Sequence, residues 1–204
     1  MVYTGRGGAG RTDLSSGERV SKSSERVEAY GTLDEANSII GIARSKAQVG
    51  ENGRRLKQMQ NHLQAEIACR SPDVFIEKEE VEYLEDVCDE VQSEIPPLTD
   101  FVLAGGCESG ALLHHARSVT RRAERRIVDL HGEEDLRSPV LSYINRLSDA
   151  LFLIARHENQ RAGVEEENPS YWEPSSSGPV KTSIMAFRWS TPVASHSASI
   201  PFDL

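Results

Sequence analysis

Five arginines and one glutamate fall within thirteen residues, Ala116 to Val128, "ARSVTRRAERRIV". The chain that holds them is acidic, with 32 Asp and Glu against 23 Lys and Arg and a formal net charge of -9. Arg117, Arg121 and Arg125 recur at i, i+4 and i+8, which on a helix stacks three guanidinium groups along one side. Like charges stacked this way repel, and Glu124 is the only carboxylate between Leu112 and Val128. The chemistry on offer is anion binding, because the guanidinium fork stays charged and pairs bidentately with carboxylate or phosphate. A solvated basic face is the competing reading.

A second candidate lies near the N-terminus. "YTGRGGAGRT", Tyr3 to Thr12, supplies backbone amides and hydroxyls of the kind that cradle phosphate. Gly5 to Thr12 spell G-x-x-x-x-G-R-T, a Walker A pattern with Arg11 in place of the lysine. A true P-loop joins a strand to a helix. Here "DLSSGERVSK" follows, so the P-loop reading fails and a glycine-rich leader remains, with Lys22 as one more phosphate contact.

These residues must be positioned by helices. Ala29, Leu33, Ala36, Ile40 and Ala43 predict a helix from Glu25 to about Lys46. A second is predicted from about Arg54 to Cys69, broken by "SPD" at Ser71. A third, "KEEVEYLEDVCDEVQSEI", carries Val81, Leu84, Val87, Cys88, Val91 and Ile95 on one side and stops at Pro96–Pro97. The arginine helix runs from about Ala111 to Leu130, with Leu112, Ala116, Val119, Ala123, Ile127 and Leu130 facing the core. Ser138–Pro139 starts the last, which buries Val140, Leu141, Ile144, Leu147, Leu151, Ile154 and Ala155 and ends near Arg161.

No segment alternates like a half-buried strand, so the expected class is all-α, a bundle of about five helices. Residues 1–24 read as a glycine-rich loop, 25–172 as the helical domain, and 173–204 as a disordered Ser/Pro-rich tail. Three helices carry a second patterned face. These are Tyr30, Asp34, Asn37 and Gly41 on the first, the arginines on the fourth, and Asn145, Asp149, Phe152 and Arg156 on the fifth. Phe152 would be a lone exposed aromatic there. Such faces suit a bundle that packs on copies of itself.

The totals exclude several classes. An acidic chain lacks the basic field of a general nucleic-acid binder. The longest apolar stretch, "LFLIA", is far too short for a membrane span, and "MVYTGRGGAG" does not resemble a signal peptide. Cys69, Cys88 and Cys107 form no CxxC pair, which points to a reducing, cytoplasmic setting. A di-iron bundle wants Glu-x-x-His, and none occurs, so His62, His114, His115 and His157 read as surface or packing residues rather than metal ligands.

Four blocks, "YTGRGGAGRT" with "RVSK", "RVEAYGTLDEANSIIG", "FVLAGG…LHHARSVTRRAERRIV" and "YINRLSDALFLIAR", resemble the PduO-type ATP:cob(I)alamin adenosyltransferases in order and spacing, over about residues 3 to 172. The resemblance implies a homotrimer of five-helix bundles with an active site at each subunit interface. It implies transfer of the 5′-deoxyadenosyl group of ATP to the cobalt of cob(I)alamin, with Mg2+ present and a reductase supplying the reduced corrinoid. By position, the ATP contacts would be Thr4, Gly5, Arg6, Gly7, Thr12, Asp13, Lys22, Arg121, Arg122, Ala123, Glu124, Arg125 and Asn145. The catalytic set would be Arg125 on the polyphosphate and Arg121 paired across the interface with Asp34. Phe101 and Phe152 would wall the corrin.

Three positions depart from the family pattern. Gly8 stands where an acid is usual, Ala104 stands where a proline is common, and "MQNHLQAEIACRSPDV" looks about a helical turn short. They motivate an alternative, a nucleotide- and cobalamin-binding trimer with little or no turnover.

Overall fold

The computed structural model describes residues 6–14, 17–68, 76–133 and 138–170. A 3₁₀ turn, Arg6–Ala9, leads into strands β1 (Arg11–Asp13) and β2 (Arg19–Ser21). Five helices follow: α1 (Glu25–Lys46), α2 (Gly50–Ala68), α3 (Lys78–Glu94), α4 (Glu108–Glu133) and α5 (Ser138–Arg161). The chain divides into two units, Met1–Pro169 and Ser170–Leu204. The expected Ser/Pro-rich tail lies outside the described residues.

The bundle is organised around α1, α4 and α5. α1 packs most extensively on α4 and also on α2, and α5 packs on α4 and α3. The five predicted α1 core residues are all fully buried. So are Ala116 and Ala123 on α4, and Ile144, Leu147, Leu151, Ile154 and Ala155 on α5. Leu112, Val81 and Leu141 are only partly covered and sit at the edge of the core. Tyr143 is the largest wholly buried side chain, and its hydroxyl meets His62 Nδ1 at 3.2 Å, so its polar end is satisfied.

Local signals set several boundaries. Glu77 and Glu80 form a capping box at the start of α3. α5 ends in a Schellman motif: Gly163 has φ 68°, its N–H reaches the Gln160 carbonyl at 3.1 Å, and Val164 N–H reaches Asn159 at 2.9 Å. That turn folds residues 164–167 back along the end of the bundle.

The structure corrects four expectations. Residues 11–13 and 19–21 form an antiparallel hairpin, Thr12 opposite Val20, where only loop was predicted. Its strands are three residues each, too short to show an alternation. α2 begins at Gly50, four residues before Arg54, because its first turn is capped by a side chain far away in sequence. Glu158 Oε2 accepts from Gln48 N–H at 2.8 Å, and Oε1 accepts from Val49 N–H at 3.2 Å and Asn52 Nδ2 at 2.8 Å. α4 starts at Glu108 rather than Ala111, and Ser109 donates to the same carboxylate at 2.9 Å.

The fourth correction concerns the α1 face. Tyr30 donates to Glu66 at 3.3 Å, Asn37 to Gln64 at 3.3 Å, and Gln60 donates to the Asn37 carbonyl at 3.1 Å. A Cβ on Gly41 would lie 2.8 Å from Gln60 Nε2. This is the polar seam between α1 and α2 within one chain. Of the four residues on that face, only Asp34 is exposed.

Candidate active site

The register that buries Ala116, Val119, Ala123 and Ile127 turns the arginines of α4 outward. Their surroundings divide them into two sets. Arg122 is paired with Glu35, and Arg126 with Glu28 at 3.7 Å, both acids on the neighbouring α1. Arg117, Arg121 and Arg125 have no carboxylate partner among the described residues. Arg125 Nη1 instead donates to the Arg121 carbonyl at 3.0 Å, back along its own helix. Glu124 accepts from Asn145 Nδ2 at 2.8 Å, which ties this face of α4 to α5. An open depression runs beside it, lined by Arg122, Glu124, Arg125, Arg126, Val128 and Asp129.

The stripe continues toward a half-buried aromatic cluster. Phe152 is not the lone exposed ring that its helix position suggested. His114 packs against it with centroids 5.8 Å apart, and the guanidinium groups of Arg117 and Arg156 lie 5.8 and 6.0 Å from its centroid. Arg117 Nε and both ring nitrogens of His114 are buried without a hydrogen-bond partner. Arg156 is itself buried, paired with Glu166 at 3.0 Å, so it is no part of an outer face. Asp149 is half-buried, and burial pushes its carboxyl above the usual range, against the opposing pull of Arg146 at 3.0 Å and of Arg121.

Burial, then the charges of Arg117 and Arg156, hold His114 neutral and move its pKa from 6.5 down to about 4. The unfolded chain therefore takes up this proton at a higher pH than the folded one. The stability contributed by the neutral ring is complete above 6.5 and is lost as pH falls toward about 4. Burial also lowers His62 and His157, adding in the same direction. Denaturant midpoints should drop across that window, and the drop should be smaller in His114→Leu. An unchanged slope would remove His114 from the acid response.

The N-terminal candidates are gathered by the hairpin. Lys22 N–H donates to the Gly10 carbonyl at 2.9 Å, closing the loop, and Gly10 takes φ 72°, which favours glycine. The Lys22 amine lies against Gly7, 3.3 Å from where a Cβ would stand. Thr12 is half-buried in β1, and Asp13 accepts from Arg19 Nη1 at 3.0 Å. Gly7, Thr12, Asp13 and Lys22 thus belong to one small unit. Thr4 and Gly5 lie outside the described residues, and of Arg6 only the backbone is described. Among the described side chains, no hydrogen bond or ion pair joins this unit to α4 or α5.

Phe101, the other corrin candidate, is 59% exposed on the segment between α3 and α4, with Leu98 and Leu103 nearly as open. Nucleophilic chemistry has little support among the cysteines described, since burial pushes the Cys88 thiol up to about 12. No group of three His, Cys, Asp or Glu side chains suited to a metal occurs among the described residues. No described helix is long and apolar enough to cross a membrane.

The chain is an α-helical bundle that carries an arginine-rich face and a glycine-rich hairpin. The chain belongs to the cobalamin adenosyltransferase family, whose profile matches residues 2–158. It is 41% identical over 169 residues to the corrinoid adenosyltransferase PduO of Salmonella typhimurium, covering 79% of this chain and 50% of that protein. It is also 41% identical over 173 residues to a corrinoid adenosyltransferase of Bacillus subtilis, covering 80% and 89%. The chain thus spans about half the length of the Salmonella relative and most of the Bacillus one. A variant PduO-type ATP:corrinoid adenosyltransferase from Lactobacillus reuteri, complexed with cobalamin and ATP, superposes with a TM-score of 0.76 at 31% identity, covering 84% of this chain and 100% of that one.

The arginine stripe is legible from its spacing, but its division into paired and unpaired members depends on α1. Glu158 and Asn159 have one signal in the sequence, four polar residues, "RHEN", crowded into the last turns of an apolar helix.

Proposed function

We propose that this chain transfers the 5′-deoxyadenosyl group of ATP to the cobalt of cob(I)alamin. The Co(I) electron pair attacks the ribose C5′, a Co–C bond forms, the C5′–O bond breaks, and triphosphate leaves with that bonding pair. The observation that carries the proposal is the face of α4, where α1 neutralises Arg122 and Arg126 and leaves Arg117, Arg121 and Arg125 unpaired. Polyphosphate is an anion suited to that face. The solved relative, bound to cobalamin and ATP, supports the same reading.

The nucleophile is the reduced metal of the substrate, so the chain's residues need only position ATP and stabilise charge on the leaving group. Arg125 would hold the polyphosphate, joined by Arg121, Arg122 and the hairpin residues Gly7, Thr12, Asp13 and Lys22. Glu124, oriented by Asn145, stands beside these charges. Mg2+ would be held mainly by the phosphates, with at most one or two protein carboxylates such as Glu124. Phe101 and Phe152 would face the corrin.

Two features support a homotrimer with shared sites. Among the described side chains, no hydrogen bond or ion pair joins the hairpin to the arginine face. Asp34 and Arg121 are both exposed and form no ion pair among the described residues, which suits a pair formed between copies. A reductase in the same cytoplasmic setting would supply cob(I)alamin. Calorimetric titration of ATP, with sedimentation in parallel, tests the assignment. Arg125→Ala should weaken ATP binding while the trimer persists. Unaltered ATP affinity would remove the phosphate role.

Gly8 bears on turnover. It is exposed, its φ is not positive, and nothing lies within 4 Å of an added Cβ. Gly8→Asp should therefore change stability by no more than about 0.5 kcal/mol. It should lower the KM for ATP, and a raised KM would show that the acid has no place in this loop.

A further inference from the structure

Residues 95–107 link α3 to α4 and expose Leu98, Phe101 and Leu103 without regular secondary structure. A segment of this kind would sample many conformations unless held. Here α5 and the chain that follows it hold it at three places. Arg156 Nη2 donates to the Pro96 carbonyl at 3.1 Å, while its Nε is braced by Glu166. Leu103 N–H donates to the Glu167 carbonyl at 2.7 Å. Asn159 makes the third hold with both ends of its amide. Its Nδ2 donates to the Gly105 carbonyl at 3.1 Å, and its Oδ1 accepts from Cys107 N–H at 3.0 Å.

The third hold is the most specific. Asn159 is 3% exposed, so neither bond is readily replaced by water. Gly106 has φ 106°, and a Cβ added at Gly106 or Gly110 would collide with the Asn159 amide. The two glycines and the asparagine are one fitted unit: the amide fills the space that the missing side chains leave.

We infer that Asn159 is a positioning residue for the corrinoid, acting through the 95–107 segment rather than by contact. This rests on the adenosyltransferase reading above. The segment's chemistry selects the substrate it serves. Between Ile95 and Cys107 the only charged residue is Asp100, while Leu98, Phe101 and Leu103 present apolar surface. That surface suits the face of a macrocycle and is unsuited to triphosphate. Asn159 therefore sets corrinoid affinity and leaves ATP affinity alone.

The test compares Asn159→Ala, Asn159→Asp and Gly106→Ala in the full chain. Hydrogen exchange at the Leu103 and Cys107 amides should accelerate in Asn159→Ala, with core amides of α1 and α4 unchanged. Losing two buried hydrogen bonds should raise the KM for cob(I)alamin about tenfold or more and move the KM for ATP less than about twofold. Asn159→Asp keeps the acceptor for Cys107 N–H and should fall between wild type and alanine. Gly106→Ala strains the same unit from the other side and should reproduce the alanine pattern. Equal changes in both KM values, or faster exchange with an unchanged corrinoid KM, would overturn the inference. Should the wild type fail to turn over, the functional reading is what has failed. Absorbance titration with cob(II)alamin then decides the positioning role, and equal affinity in wild type and Asn159→Ala would refute it.

Discussion

Replacing Arg121 with alanine is expected to lower kcat/KM for adenosyl transfer by about 10²–10³-fold, the usual cost of removing one preorganised donor from a developing anion. Arg121 sits in the middle of the stripe, one turn from both Arg117 and Arg125, and it forms no ion pair among the described residues, Asp149 being the acid that feels its charge. A guanidinium between two others is mildly disfavoured by their repulsion, and a bound anion relieves it. The same substitution should weaken trimer association, because Arg121 is also the proposed partner of Asp34 in a neighbouring subunit. Asp34→Asn should reproduce the assembly defect with a smaller kinetic loss. Arg125→Ala, by contrast, should lose ATP affinity and rate with assembly intact. Sedimentation velocity run beside the kinetics separates these outcomes. An unchanged trimer in both Arg121→Ala and Asp34→Asn would remove the interface role, and unaltered kinetics in Arg121→Ala would remove the catalytic one.

Glu158→Ala is expected to be the most damaging single change to stability, costing roughly 3–5 kcal/mol. Its carboxylate is fully buried and accepts from four donors: Gln48 N–H, Val49 N–H, Asn52 Nδ2 and Ser109 Oγ. Those donors belong to the α1–α2 turn, the first turn of α2 and the first turn of α4. Truncation orphans all four in a dry site, and each buried unsatisfied group costs about 1–3 kcal/mol before relaxation. Glu158→Gln should recover less than half of the loss, since two donors face each carboxylate oxygen and one amide end must meet donors with its own N–H groups. The denaturant midpoint should fall in both variants with little change in slope. A loss under about 1 kcal/mol in Glu158→Ala would mean that water replaces the carboxylate.

The cap also explains what the sequence left hidden. The core stripes of α1, α4 and α5 were legible because each of these helices buries one face, and that periodicity survives in a single strand of text. The start of α2 was not, because its cap comes from Glu158, more than a hundred residues away, and "GENG" carries little helical signal of its own. The residues of "RHEN" would be placed outside by polarity alone, yet all four are buried by the turn of α2, the 95–107 segment and the returning chain. Phe152 is covered for a related reason. Its covering groups, His114 and Arg117, lie on another helix. In the candidate site, the arginine stripe was plain from spacing. Which arginines remain unpaired depended on Glu28 and Glu35, whose alignment with α4 is a fact of packing.

The central claim is that the unpaired face of α4 serves triphosphate departure from ATP. It is tested most directly by an anaerobic assay with chemically reduced cob(I)alamin, ATP and magnesium, following loss of the Co(I) absorbance and identifying the products. Adenosylcobalamin and triphosphate are expected in equal amounts, with the rate falling sharply in Arg121→Ala. ATP bound with no adenosylcobalamin formed would contradict it, and would describe instead a trimer that keeps the nucleotide and corrinoid sites without the chemistry.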